Sequence, residues 1–125
     1  MSLRRAPLAG FVLACLSLSA CSLRRQPPPS ADGATIYRLQ NCANCHGARG
    51  EGKSRHGPEL RGLGAHWTRD TLAEFLADPV PAAERDPRLL ELQERSGGKM
   101  GRYDNLDLPL RLTLADWLLE GGVER

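Results

Sequence analysis

At residues 42–46 the chain reads Cys42-Ala43-Asn44-Cys45-His46. Two thiols at i and i+3 can each add across a vinyl group of one haem. The histidine directly after them then lies under the ring, where its imidazole can ligate the iron. This spacing is the attachment signature of c-type haem. A chain with such a site has to fold around a flat, largely apolar group, so the motif constrains the interior as well as the chemistry. Two other uses of a thiol pair are weaker. A thioredoxin-type redox site wants a βαβ context, and no alternating strand pattern is present. A zinc site wants four ligands, which only scattered histidines could complete.

The start of the chain does not read as part of the fold. Arg4 and Arg5 form a basic region, and residues 6–20 are uncharged and largely apolar. Residues 1–20 therefore read as an export signal. Leu18-Ser19-Ala20-Cys21 closes it and resembles the lipobox of bacterial lipoproteins. That resemblance implies cleavage before Cys21, a diacylglycerol on its sulfur and an acylated amino group. Three acyl chains hold a protein to a membrane far more firmly than one. Ordinary signal cleavage is a second reading, although Leu18 fits the small-x-small pattern poorly. A third keeps residues 6–23 as a membrane helix, near the lower length limit. The expectation is an exported bacterial protein, lipid-anchored to a membrane and facing the periplasm.

Cysteine use agrees with export. Of four cysteines, Cys15 lies in the signal and Cys21 is the lipid site, leaving Cys42 and Cys45 in the mature domain. A disulfide framework would need more pairs. The charge is also altered by processing. Loss of Arg4 and Arg5 takes the 17 Lys and Arg to 15, against 15 Asp and Glu. A balanced chain gives nucleic-acid binding no support. Residues 38–61 nevertheless carry Arg38, Arg49, Lys53, Arg55 and Arg61 against Glu51 and Glu59, whereas residues 104–125 are mainly acidic. The alternatives are solvated surface charge and a basic rim that steers an acidic partner.

Residues 21–31 hold the candidate anchor followed by Ser-Leu-Arg-Arg-Gln-Pro-Pro-Pro-Ser-Ala, which reads as an extended, semi-rigid spacer. The folded domain is expected over residues 32–125. Four helices can be argued there. Asp32 caps a first, running to about Cys42. Thr68 or Asp70 starts a second, with Leu72, Phe75 and Leu76 on one face, and Asp78-Pro79 ends it. Asp86-Pro87 opens a third over residues 86–95, stopped by Ser96-Gly97-Gly98. The last begins around residues 107–109 and uses Leu110, Leu114, Trp117 and Leu118. Residues 47–64 hold six glycines and Pro58 and read as loop. A domain of about 90 residues with four modest helices has a small core. A covalently held haem would complete the interior.

These features together resemble class I cytochrome c over nearly all of the mature domain. Gly33 and Tyr37 match the glycine and aromatic pair of the family's first helix, with Trp117 as their partner where first and last helices cross. Gly57-Pro58-Glu59-Leu60 resembles the loop on the proximal side of the haem, which implies that the Pro58 carbonyl accepts the other ring N–H of His46. Trp67 stands where the family has its propionate-binding tryptophan. Gly98-Lys99-Met100 resembles the loop that delivers the distal methionine. The resemblance implies an all-α, cytochrome c-like bundle of about four helices wrapped around one covalent haem c. Residues 86–95 are an addition to the pattern of many members.

Met100 has a case of its own. Of two methionines, Met1 leaves with the signal. A cytochrome iron takes a second axial ligand, and thioether sulfur suits it while raising the potential. Filling a core gap is the commoner use of methionine. His56 and His66 are the other candidates, the first badly placed on the same side as His46, the second at the edge. Histidine and methionine together close the iron, which argues against catalysis and for one-electron transfer. The expected protein is a monomeric, membrane-tethered electron carrier serving periplasmic or membrane redox proteins. An accessory subunit of a larger oxidoreductase and a haem-based small-ligand sensor, in which Met100 dissociates, are the alternatives.

Overall fold

Asp32 sits in extended backbone and its carboxylate accepts from the Thr35 N–H at 2.7 Å, which starts α1 (Gly33–Leu39). Capping of this kind satisfies a donor that the first turn leaves without a partner. The helix stops short of Cys42, because Asn41 takes φ 59° and turns the chain. Asparagine tolerates that left-handed region better than most residues. The haem motif then forms its own short turn, α2 (Ala43–His46).

In this computed structural model residues 25–125 are described, and among them there are six α-helices, two 3-10 turns and one isolated antiparallel bridge, Lys53 with Gly57. The fold is all-α. Thr68 begins α3 (Arg69–Ala77) through a reciprocal cap with Thr71, at 3.0 and 3.2 Å. The helices α4 (Pro79–Arg85), α5 (Pro87–Ser96) and α6 (Leu108–Leu119) follow.

Six helices replace the four that the sequence pattern predicts. The one-turn α2 is too short for periodicity to reveal. The other addition, α4, begins at the proline read as a stop. A proline is compatible with the first helical turn, where its missing N–H costs nothing. Asp78 ends α3 with its backbone while its side chain accepts from the Val80 N–H at 3.2 Å. Asp86 repeats the device between α4 and α5, accepting from the Arg88 N–H at 2.9 Å.

The core lies where α6 packs on α1 and α3. Ile36, Leu72, Leu76, Leu106, Leu110, Leu114 and Leu118 are all buried there. Each such side chain contributes about 1.5–3 kcal/mol on burial. The crossing of α1 and α6 depends on Gly33, since a Cβ there would overlap Trp117. Gly122, in the 3-10 turn Gly122–Glu124, meets the indole in the same way. Tyr37 completes the contact, its ring centroid 5.3 Å from that of Trp117.

The proline spacer is docked. Pro27 and Ala31 are buried, and the Ala31 N–H donates to Pro28 O at 2.9 Å. Gln40, only 2% exposed, donates from Nε2 to Arg25 O at 2.9 Å and accepts from Asn105 Nδ2 at 3.1 Å. A buried amide is costly unless so partnered. The packed chain thus begins earlier than Asp32. The candidate signal over residues 1–20, Cys21 and residues 22–24 lie outside the described residues. Among those described, no helix is long and apolar enough to cross a membrane.

Candidate functional site

His46 ends α2 and is buried. Its Nδ1 lies 2.8 Å from the carbonyl oxygen of Pro58. A carbonyl can only accept, so Nδ1 carries the proton and Nε2 keeps its lone pair. Burial holds the imidazole below its ordinary pKa of 6.5, against a weaker upward push from the Pro58 contact. The neutral ring is the form that ligates metals.

The loop around this histidine is cross-tied. Gly52 N–H donates to His46 O and Leu60 N–H to Gly50 O, both at 2.7 Å. Gly57 is buried, and a Cβ on it would stand 2.8 Å from Cys45 O. The turn carrying Pro58 is therefore seated directly on the cysteine motif. From α1, the Tyr37 hydroxyl donates to Gly47 O at 2.8 Å. Burial raises the Tyr37 pKa well above its ordinary 10.0, so the hydroxyl keeps its proton.

Met100 lies in the loop after α5, which is held at both ends. Gly97 takes φ 72° at the end of the helix, and Gly98 N–H donates to Gln93 O at 3.1 Å. That is a glycine-terminated helix end. Beyond Met100, Tyr103 N–H donates to Leu76 O at 2.9 Å, and Arg102 pairs with Asp78 at 3.0 Å.

One cavity of about 660 Å³ takes in Cys42, Cys45, His46, Pro58, Trp67 and Met100. Its size falls within the ~300–1,000 Å³ of small-molecule sites. Every candidate within the described residues is on its wall; Cys21 is outside them. His56 and His66 also border the cavity but are exposed, and His56 Nδ1 is 2.8 Å from Ser54 O. Cys42 is buried, whereas Cys45 is exposed.

The inner wall is apolar: Leu72, Phe75 and Leu76 come from α3, Leu114 and Leu118 from α6. Sequence reasoning missed the share of α5, which adds Arg88, Leu89 and Leu92. Leu89 and Leu92 stand at i and i+3 of a helix whose third leucine, Leu90, is exposed, and that stripe was the available signal. Arg88 lies over the Trp67 ring at 5.7 Å, and its NH2 group donates to Asp86 at 3.0 Å. Trp67 in turn packs on Phe75 at 4.8 Å between centroids.

A pair of thiols, a neutral imidazole, a thioether and an apolar slot are together a donor set that fits haem c. Among the described residues no group of three His, Cys, Asp or Glu side chains could hold a bare metal ion.

The family model of cytochrome c matches residues 30–110. No curated protein and no solved structure matches the chain. The family match spans well over half of the sequence and takes in the motif, the Pro58 turn and the Met100 loop. Members bind haem c covalently through the cysteines of this motif, which here are Cys42 and Cys45. The chain therefore belongs to the cytochrome c family, as a c-type cytochrome that carries electrons.

Proposed function

We propose that the protein is a membrane-tethered monohaem cytochrome that passes single electrons between redox partners on the periplasmic side. The observation that carries this reading is that His46 and Met100, a nitrogen and a sulfur donor from distant parts of the chain, border the same cavity. Haem c supplies an iron that accepts and releases one electron. Cys42 and Cys45 hold the group covalently. His46 and Met100 would both ligate the iron and so would exclude exchangeable ligands. Pro58 orients the imidazole through Nδ1, and Trp67 binds a propionate. The leucines of α3, α5 and α6 keep water out and favour the less charged ferrous state.

The cavity's border supports an acidic partner. Lys53, Arg55, Arg61, Arg88, Arg95 and Lys99 border it, against Glu51 and Glu59. Arg61 pairs with Glu59, Arg88 with Asp86 and Arg95 with Glu91, so the excess is smaller than the count. Arg38 and Arg49, also candidates for this rim, do not border the cavity. A cationic margin of this kind accelerates encounter with an acidic surface.

Cys21 as the first mature residue and lipid site supplies the tether. Mass measurement of the mature protein, with membrane fractionation of Cys21→Ser, tests this directly. The expected mass contains one haem and three acyl chains, and the variant leaves the membrane fraction. A variant that stays with the membrane would contradict lipid anchoring at Cys21.

A further inference from the structure

The docked residues 25–31 leave little chain between the domain and Cys21. Gln40, which pins the Arg25 carbonyl, stands two residues before Cys42, and the intervening Asn41 borders the cavity. The Arg25 carbonyl is thereby tied to the chain just ahead of Cys42. Its four residue steps from Cys21 reach ~14 Å at full extension. Were residues 21–31 all loose, the reach would be ~36 Å. A domain of about 100 residues has a radius of gyration of ~13 Å, so it is more than ~30 Å across. A leash shorter than the body it holds cannot let that body turn over.

Building on the lipid-anchor reading of Cys21, we propose that the lipid surface is the docking partner of one particular face of this domain. That face carries Arg25, Asn41 and Asn105 over the buried Gln40, and it brings the Cys42–Cys45 edge toward the bilayer. Arg25 is exposed, which puts a cation on that face. Cations there favour anionic lipid. Asp104 is exposed beside Asn105 and opposes that attraction. Orientation is therefore set chiefly by the short anchor and its pin. The protein exchanges electrons with a partner lying in or on the same bilayer, through an edge held at membrane level.

The test uses the mature, lipidated holoprotein, reduced and isotope-labelled, on nanodiscs of zwitterionic and anionic lipid doped with a gadolinium-chelating headgroup. Backbone amide relaxation is then read residue by residue. The expected result is the greatest enhancement at Arg25, Gln40, Asn41 and Asn105, severalfold above the rest of the surface. An even enhancement, or a maximum elsewhere on a domain still bound to the disc, would overturn the orientation while leaving the anchor intact. A domain that does not stay on the disc removes the anchor reading and the orientation with it. Inserting roughly ten Gly and Ser residues between Ser22 and Leu23 lengthens the leash without touching the fold. That variant should flatten the profile, as should Gln40→Ala, which unpins Arg25. A profile unchanged by the insertion would contradict the short-leash account even if Gln40→Ala fails to fold.

Discussion

His46 Nδ1 and the carbonyl oxygen of Pro58 are 2.8 Å apart although the residues are twelve positions apart in the chain. The carbonyl fixes which nitrogen of the ring is free to ligate, and it makes that nitrogen a better donor. A stronger donor favours the ferric state, so with a haem iron on Nε2 this one contact would lower the potential. Gly57 holds the contact in place, because its lack of a side chain lets the turn rest on Cys45.

Gly57→Ala should lift the Pro58 carbonyl away from His46. The weaker imidazole would then shift the ferric–ferrous balance toward ferrous by about tenfold, or ~59 mV upward for one electron. Potentiometric titration of the holoprotein checks this. A potential at or below that of the parent would show that the contact does not tune the iron.

Gly33→Ala should force α1 and α6 apart, since the new methyl group would occupy the position of Trp117. Overpacking of this kind costs about 1–3 kcal/mol. Denaturant unfolding of parent and variant measures the difference through the transition midpoint.

Leu89→Ala tests whether α5 is a wall of the site or only a surface addition. Leu89 is 6% exposed and borders the cavity. Truncation of a buried leucine costs about 2–5 kcal/mol. A thermal midpoint within error of the parent would place α5 outside the structural core.

Acid stability should depend on two carboxylates. The Thr35 hydrogen bond holds Asp32 below its ordinary 3.8, and backbone N–H groups of Glu51 and Arg49 hold Glu51 below 4.5. Both therefore bind protons more readily in the unfolded chain. Their contribution is full above those ordinary values and is lost as pH falls through the lower folded values. Asp32→Asn keeps an oxygen that can cap α1 but removes the titration. Thermal midpoints between about pH 2 and 6 should fall less steeply with acid in the variant than in the parent.

Much of this site could be read from the chain because each element carries its own local signal. Asp32, Thr68, Asp86 and Asp107 all cap the helices assigned to them. Gly33, Tyr37 and Trp117 meet as their resemblance to the family implies. Apart from the Leu89–Leu92 stripe of α5, what escaped had no local signal. The proline at 79 can end one helix or open another, and only Asp78 serving both α3 and α4 decides it. The docking of the chain at Arg25 involves Gln40, which also accepts from distant Asn105. Arg88 over Trp67 joins residues from separate elements, a relation that periodicity within either one does not encode.

The central claim is that His46 and Met100 close one haem iron from within a single cavity. The most direct measurement is the visible spectrum of the ferric holoprotein, parent against Met100→Ala, with the potential of each. The parent should show the methionine–iron charge-transfer band, and the variant should lose it and fall in potential. A variant with the parent's band and potential, or a parent without the band, would contradict the assignment.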